Sequence, residues 1–132
     1  EYNKANDIEN MVSLYSDVYL DSVGYSSGTV VKMLEANRKN AQITKSETES
    51  IEAIDENIEK AVVNMAIMEE GKEVPYTYTY AMIKEDDGWA VSPDGVIECI
   101  NVEAPEIVSG KLNIYLSKII KLVDGYILRA DI

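Results

Sequence analysis

The feature that most constrains the fold of this chain is a change in the spacing of its apolar residues. From Asn6 to Val23 they recur at every third or fourth position, as on the buried face of an amphipathic helix. From Ala61 to Met82 they alternate with mostly polar neighbours, as in strands that bury one side. Because the two patterns occupy separate parts of the chain, the sequence predicts an α+β fold with helices first and antiparallel strands after them.

Two helices are predicted before the strands begin. The first follows the apolar pattern from Asn6 to Val23 and ends at Gly24, since glycine favours helix ends. Ser26 and Ser27 then offer side-chain caps for a second, shorter helix. The residues that this second helix is predicted to turn inward are Val30, Val31 and Leu34.

The segment from Gln42 to Ile58 fits two patterns. Ile51, Ile54 and Ile58 have the spacing of a helical stripe, whereas the threonines before them alternate loosely, as in a strand. The tripeptide Asp55-Glu56-Asn57 is typical of a turn after such a strand. The strand is the favoured interpretation, and the helix is the alternative.

Turn sequences divide the alternating region into an antiparallel meander that extends to Val102. The predicted turns are Glu70-Gly71-Lys72, Asp86-Asp87-Gly88 and Pro93-Asp94-Gly95. Along the strand after the first turn, one face carries Val74, Tyr76, Tyr78, Tyr80 and Met82. The pattern therefore predicts a sheet with a stripe of tyrosines on one side.

A separate hairpin is predicted near the end of the chain, with its turn at Asp124-Gly125. Its strands are Leu112 to Val123 and Tyr126 to Ile132. Because the sequence stops within the second strand, we expect the natural protein to continue past Ile132. The predicted domains are residues 1–103 and residues 104–132, the latter made of a linker, Ala104 to Gly110, and the start of a truncated β domain. The alternative is that the hairpin completes the sheet of the first domain.

The charge of the chain argues against several classes of partner. The formal net charge is −12 at pH 7, and the few lysines and arginines are scattered along the sequence. Nucleic acids and anionic membrane surfaces bind clustered basic residues, so no nucleic-acid partner is expected. No apolar stretch is long enough to cross a bilayer, and no transmembrane segment is predicted.

The chain lacks the residues of common catalytic and metal chemistry. It contains no histidine and one cysteine, Cys99. This composition excludes histidine-dependent hydrolases, intrachain disulfides and CxxC zinc sites. The acidic patch from Glu47 to Glu59 lacks the residue spacing of a calcium-binding loop. Neither a metal nor a cofactor is expected.

The turns of the meander resemble those of a known superfamily. Gly71-Lys72-Glu73 leads into an aromatic-rich strand, and Lys84-Glu85-Asp86-Asp87-Gly88-Trp89-Ala90-Val91 forms a turn and a short strand. In these features the chain from Tyr2 to Val102 is similar to bacterial envelope members of the nuclear transport factor 2-like, or cystatin-like, superfamily, with one Asp more before Gly88. The resemblance implies a strongly bent sheet wrapped on the first helix, forming a cone whose mouth holds a small ligand.

The candidate ligand-binding residues are aromatic, because tyrosine and tryptophan combine an apolar body with a polar tip. They are Tyr15, Tyr19, Tyr76, Tyr78, Tyr80 and Trp89. The alternative is that the tyrosine stripe only packs the sheet against the first helix. The resemblance also implies that Tyr15 corresponds to the oxyanion-donating tyrosine of ketosteroid isomerases, which act with a buried carboxylic acid. No such partner is evident in the sequence, and no catalytic residue is predicted.

The predicted function is a non-catalytic ligand-binding or protein-interaction module of a bacterial cell-envelope protein. The alternatives are an isomerase or dehydratase acting on a small apolar molecule, and a structural spacer domain. The expected partner is a small apolar ligand or a protein, and a second copy of the chain can pair through the sheet. The resemblance and the missing initial methionine predict an extracellular or membrane-anchored lipoprotein whose leader has been removed.

Overall fold

The chain follows the predicted order of helices and strands. The computed structural model describes residues 7–102, 106–109 and 112–131, and the side chains of 7–102 and 117–129. Within these residues three short helices precede two antiparallel sheets, so the predicted α+β class is confirmed. The helices are α1 (Ile8–Ser13), α2 (Asp17–Val23) and α3 (Ser27–Arg38). The strands are β1 (Ala41–Ala53), β2 (Ile58–Glu69), β3 (Lys72–Glu85), β4 (Gly88–Pro93), β5 (Val96–Asn101), β6 (Glu106–Ser109), β7 (Leu112–Leu122) and β8 (Gly125–Asp131).

The predicted first helix is divided into α1 and α2, so the prediction of one continuous helix is wrong. The N–H of Ser16 donates to the carbonyl of Val91 at 2.8 Å, and the N–H of Val91 donates to the carbonyl of Leu14 at 2.7 Å. The Ser16 hydroxyl also accepts a hydrogen bond from the N–H of Val18 and caps α2. These bonds replace the helical ones that a continuous helix requires.

Helix α3 begins at the predicted cap, where the Ser26 hydroxyl accepts from the N–H of Thr29 at 3.3 Å. The helix continues through the polar Asn37 to Arg38, because its second half contains neither glycine nor proline. The prediction that the second helix is the shorter one is therefore wrong. Ile8 and Val12 of α1 pack with Val30 of α3 in one buried cluster.

Sheet A contains β1, β2, β3 and β4 in that order, each antiparallel to its neighbour. The favoured interpretation of the segment from Gln42 to Ile58 as a strand is confirmed, because β1 pairs with β2 from Ala41 to Ala53. Ile51 and Ile54, which fitted a helical stripe, are 63% and 45% exposed. They do not form the buried face that such a helix needs.

A tight turn sets the register between β2 and β3. Glu70 and Gly71 have φ angles of 50° and 78°, as in the two-residue turns that match the twist of a hairpin. The register places Ala61 opposite Tyr80 and Val63 opposite Tyr78. The alternating residues of both strands therefore share one side of the sheet, here called the inner face. The inner face includes Ala61, Val63, Met65, Tyr76, Tyr78 and Tyr80.

Sheet B is built around β7, which pairs with β8 along one edge and with β5 and β6 along the other. The predicted hairpin at Asp124-Gly125 is confirmed. The meander, however, does not continue in one sheet to Val102, because β5 pairs with β7 and not with β4. After the Asp94-Gly95 turn, the N–H of Val123 donates to the carbonyl of Gly95 at 2.9 Å and joins β5 to the hairpin.

Part of the predicted linker, Glu106–Ser109, forms β6 and pairs with β7. The rest of the linker lies outside the described residues. Other ends of predicted elements that lie outside them are Asn6 and Ile132. The predicted boundary between residues 103 and 104 stays a prediction.

Sheet B is attached to the helices and to sheet A by polar contacts. The Lys118 ammonium and the Arg129 guanidinium donate to carbonyls at the C-terminal end of α2, at 2.9 and 2.8 Å. Cations at this end of a helix interact favourably with the negative end of its dipole. The Lys60 ammonium lies 2.8 Å from the Asp124 carboxylate and connects β2 to the turn of the hairpin.

Part of the side of sheet A opposite the inner face lies against β5 of sheet B. Ala81 and Ser92, which are paired across β3 and β4, are both 0% exposed, and Ile120 of β7 is 1% exposed. The Ser92 hydroxyl donates to the carbonyl of Val96 in β5. This cover does not extend along the whole side, because Asn64, Met68 and Thr77 are exposed there. The cavities described below lie on the inner face.

Candidate functional site

A cleft made of two adjacent pockets lies between the helices and the inner face of sheet A. The first part, here called the apolar lobe, has a volume of about 590 Å³. The second, here called the polar lobe, has a volume of about 380 Å³. Both volumes lie in the range of small-molecule sites. The residues that line both lobes are Met11, Tyr15, Met65 and Tyr80.

The apolar lobe is walled mainly by hydrocarbon and thioether side chains. Beyond the shared residues, those from sheet A include Val63, Met82, Trp89 and Val91. Leu14, Ile51 and Trp89, which also line this lobe, are 44%, 63% and 44% exposed. Large apolar side chains that are exposed together in one place are typical of binding surfaces, whereas single ones are common everywhere.

Tyr15 and Tyr80 lie where the two lobes meet. The backbone of Tyr15 is fixed by its bridge to Val91, and its ring makes an edge-to-face contact with Tyr19, with centroids 5.5 Å apart. Burial raises the pKa of Tyr15, and the nearby Tyr80 phenol adds to that effect. Burial also raises the pKa of Tyr80, to about 12. Both phenols are therefore neutral at physiological pH and can donate or accept a hydrogen bond.

The polar lobe adds charged and amide groups to the phenols. Its further lining residues include Tyr19, Asn37, Arg38, Glu69, Tyr78 and Asp94. Arg38 lies at the end of α3 and is half-buried. Burial lowers the pKa of Arg38, and the phenols of Tyr15, Tyr80 and Tyr78 act in the opposite direction. The lobe thus combines a guanidinium group with nearby phenols.

Tyr76 lies on the inner face but lines neither lobe. Its hydroxyl donates to the Glu69 carboxylate and lies 2.8 and 2.9 Å from the two carboxylate oxygens. This hydrogen bond raises the pKa of Tyr76. The Tyr76 ring stacks on that of Tyr78, with centroids 6.0 Å apart. Tyr76 therefore supports Tyr78, which does line the cleft.

The other aromatic residues that the sequence predicts as ligand-binding all line the cleft. Trp89 lines the apolar lobe, Tyr19 and Tyr78 line the polar lobe, and Tyr15 and Tyr80 line both. These residues come from α2, the segment before it and two strands of sheet A.

Sequence reasoning missed several other lining residues. Arg38 stands in a polar run that carries no motif, so nothing in the sequence signals its position. Met11 precedes Tyr15 by four positions, so within the predicted first helix the two residues share a face. That spacing is a signal in the sequence that places Met11 beside Tyr15.

The isomerase alternative requires a carboxylic acid that burial keeps neutral. Among the described residues, the buried polar side chains are Ser16, Ser22 and Ser92, and none of them is a carboxyl group. The carboxylates that line the cleft are partly or fully exposed. They are Glu59 in the apolar lobe, and Glu69 and Asp94 in the polar lobe. The isomerase alternative therefore stays a prediction, and the described residues include no buried carboxyl group that could act with Tyr15.

In the part of the chain that the structure describes, no three side chains of the metal-binding types lie close enough together to hold an ion. No helix in the same residues is both long and apolar enough to span a membrane.

Comparisons with known proteins do not assign the chain to a family. No family model matches the sequence, and a search of curated proteins finds no significant match. The similarity to the nuclear transport factor 2-like superfamily therefore stays a prediction from the turn sequences.

Proposed function

We propose that this chain is a non-catalytic binding module that takes a small, mainly apolar ligand into the apolar lobe. The observation that carries the proposal is the grouping of Leu14, Ile51 and Trp89, which are 44%, 63% and 44% exposed, around one cavity of about 590 Å³. Covering apolar surface stabilises a complex by about 25 cal/mol per Å². A ligand that covers these side chains therefore gains hydrophobic free energy.

The walls of the lobe also support recognition of a small molecule. Met11 and Met82 face the lobe from the helix side and the sheet side, and methionine adapts its shape to a ligand at little cost. The neutral phenols of Tyr15 and Tyr80 provide the few polar groups that orient a bound molecule in an apolar site. A spacer domain has no need of such a cleft.

We further propose that the helices and sheet A form the cone of the nuclear transport factor 2-like superfamily, and that the protein acts at the bacterial cell surface. The first part is supported by the turn sequences and by Met11, Leu14 and Tyr15, which face one side of a four-stranded antiparallel sheet across the apolar lobe. The second part is supported by the resemblance of the sequence to envelope members of that superfamily.

Trp89 provides a test, because it is the one tryptophan of the chain and lines the apolar lobe. The probe is N-phenylnaphthylamine, a neutral fluorophore that brightens in apolar surroundings. We expect saturable binding at one site, with a fall in Trp89 emission as energy transfers to the bound probe.

Two methionine variants locate the binding site. Met82→Glu places a carboxylate in the wall of the lobe and should weaken probe binding at least about tenfold, because burying an unpaired charge is costly. Met68→Glu is the matched control, since Met68 lies on the other side of sheet A and is 36% exposed. Equal binding by the two variants, or binding that leaves Trp89 emission unchanged, would contradict the proposal.

A further inference from the structure

Four of the nine tyrosines of the chain line the polar lobe. They are Tyr15, Tyr19, Tyr78 and Tyr80, and all four are half-buried. The rings of Tyr15 and Tyr19 are nearly perpendicular, with an angle of 87° between their planes. The face of an aromatic ring carries partial negative charge. Proteins bind alkylated ammonium groups among several such rings, so this lining is suited to a cation of that kind.

Two carboxylates add negative charge to the aromatic lining. Glu69 accepts a hydrogen bond from the Tyr76 hydroxyl, and this neutral donor leaves the charge of the carboxylate in place. Asp94 lies in the turn between β4 and β5 and is exposed. The chain as a whole has a formal net charge of −12, and a negative field of this kind draws cations from solution. The two carboxylates and the net charge of the chain therefore favour a positively charged ligand.

Arg38 also lines the polar lobe and has an interaction of its own within the chain. Its charge and that of Asp94 act on different sets of phenols. Burial raises the pKa of Tyr19, and the Asp94 carboxylate adds to that effect. Burial also raises the pKa of Tyr15 and of Tyr80, and there the Arg38 guanidinium acts in the opposite direction. The part of the lobe beside Tyr19 is therefore under the influence of Asp94 rather than of Arg38.

We propose that the polar lobe binds a small cation whose ammonium nitrogen carries methyl or other alkyl groups, and that this cation lies beside Tyr19 and Asp94. The alkyl groups give the cation apolar surface, which can pack on the rings and on Met11 and Leu34 of the same lobe. An unsubstituted ammonium is strongly hydrated and lacks that surface. The inference goes beyond the proposed function, because it concerns the polar lobe and a ligand of its own.

Choline and its neutral analogue, in which a carbon atom replaces the nitrogen, test the role of the charge in the whole chain. Isothermal titration calorimetry should show that choline binds at least about tenfold more tightly, as a partly desolvated contact between a cation and aromatic rings provides. Ethanolamine has the same charge without the methyl groups and should bind more weakly than choline. The proposal is overturned if choline does not bind, or if it binds no more tightly than either of the other two compounds.

Phosphocholine distinguishes a free cation from a phospholipid head group, since it carries the same trimethylammonium together with a phosphate. Glu69 and Asp94 line the lobe and repel an anionic group. Phosphocholine should therefore bind more weakly than choline. Equal or tighter binding of phosphocholine would overturn the assignment to a free cation.

Substitution of Asp94 tests where the cation lies. Asp94→Asn should weaken choline binding about threefold, because it removes one exposed charge beside the cation, while binding of the neutral analogue is unchanged. Asparagine tolerates the positive φ of this position, which is 59°. Asp87→Asn is the matched control, since Asp87 is also an exposed turn residue before a glycine but lines neither lobe. Equal effects of the two substitutions would indicate long-range attraction alone and would overturn the proposed position.

Two substitutions at Tyr19 separate the role of its ring from that of its hydroxyl. Tyr19→Leu removes the aromatic face and should lower the preference for choline over the neutral analogue at least about threefold. Tyr19→Phe keeps the face and should keep most of that preference. The measured quantity is the ratio of the two dissociation constants, which a general loosening of the lobe changes little. The proposal is overturned if Tyr19→Leu leaves the ratio unchanged, or if Tyr19→Phe lowers it as much as Tyr19→Leu does.

Discussion

Ser16→Ala should lower the free energy of unfolding by about 2.5 kcal/mol, because Ser16 combines a helix cap with a tertiary hydrogen bond. Its hydroxyl accepts from the N–H of Val18 at 3.3 Å and donates to the Glu85 carboxylate at 2.8 Å. Loss of a serine cap costs about 1 kcal/mol. A hydrogen bond to a charged group contributes about 1.5–3 kcal/mol, and Glu85 is exposed, so the lower end of that range applies.

Ser26→Ala is the matched control for the cap alone. Ser26 caps α3 and, like Ser16, accepts from a backbone N–H at 3.3 Å. It is exposed, and its hydroxyl pairs locally with that of Thr29. We therefore expect this substitution to cost about 1 kcal/mol. The difference between the two serines measures the contact that joins the start of α2 to the end of β3.

Urea unfolding followed by Trp89 emission measures both variants, and a double-mutant cycle with Glu85→Ala isolates the contact. The coupling energy between Ser16 and Glu85 should be about 1.5 kcal/mol. The reasoning is refuted if Ser16→Ala costs no more than Ser26→Ala, or if the effects of Ser16→Ala and Glu85→Ala simply add.

Two further predictions concern the cleft at high pH and the turn between the sheets. The fold raises the pKa of Tyr80 from 10.0 to about 12, so its stabilising contribution is complete below pH 10 and is lost as the pH rises through 12. That loss amounts to about 3 kcal/mol. The free energy of unfolding of Tyr80→Phe should therefore fall less steeply with pH in this window than that of the wild-type chain. Identical pH profiles for the two proteins would contradict the raised pKa of Tyr80. Gly95→Ala should destabilise the chain more than Gly71→Ala, by at least about 1 kcal/mol. Both glycines have a positive φ, 73° at Gly95 and 78° at Gly71. A Cβ at Gly95 would lie 2.7 Å from Val123 Cγ2, whereas nothing lies within 4 Å of a Cβ at Gly71. Equal unfolding midpoints for the two variants would show that the Val123 side chain moves aside without a cost in stability.

The strands of sheet A could be predicted because their pattern is local. The alternation from Ala61 to Met82 records which side of each strand is buried, and the glycine at position 71 allows the tight turn between the two strands. Together these features determine the register, since a shift of one residue would turn the apolar side chains to the other face. The pairing of β2 with β3 therefore followed from the sequence alone, whereas the segment that forms β1 fitted either a strand or a helix.

The pairing of β5 could not be predicted in the same way. Val96–Asn101 follows a tight turn after β4, and such a turn usually joins neighbouring strands of one sheet. Its partner β7 comes later in the chain, and the local sequence of β5 fits either partner. The choice depends on the close fit of Gly95 against Val123 and on burial of Ile120, which are contacts between distant parts of the sequence.

The aromatic part of the candidate site was predictable for a reason that does not apply to Arg38. Tyrosine and tryptophan stand out by residue type, and their positions on the inner face follow from the alternation of β3. Arg38 reaches the cleft because α3 extends further than its polar end indicates and because the helix packs beside sheet A. Neither the length of α3 nor its packing beside sheet A can be predicted from residue type and periodicity.

The break between α1 and α2, which sequence periodicity does not reveal, is also what builds the cleft. In one continuous helix Tyr15 and Tyr19 would lie one turn apart on a single face. The backbone bridge between Tyr15 and Val91 instead binds the break to β4, so that Tyr15 lies where the lobes meet and Tyr19 lines the polar lobe alone. Positions where local rules fail in natural proteins are often functional, because the surrounding structure must stabilise them. Ser16, which caps α2 and anchors it to Glu85, therefore stabilises the cleft as well as the helix.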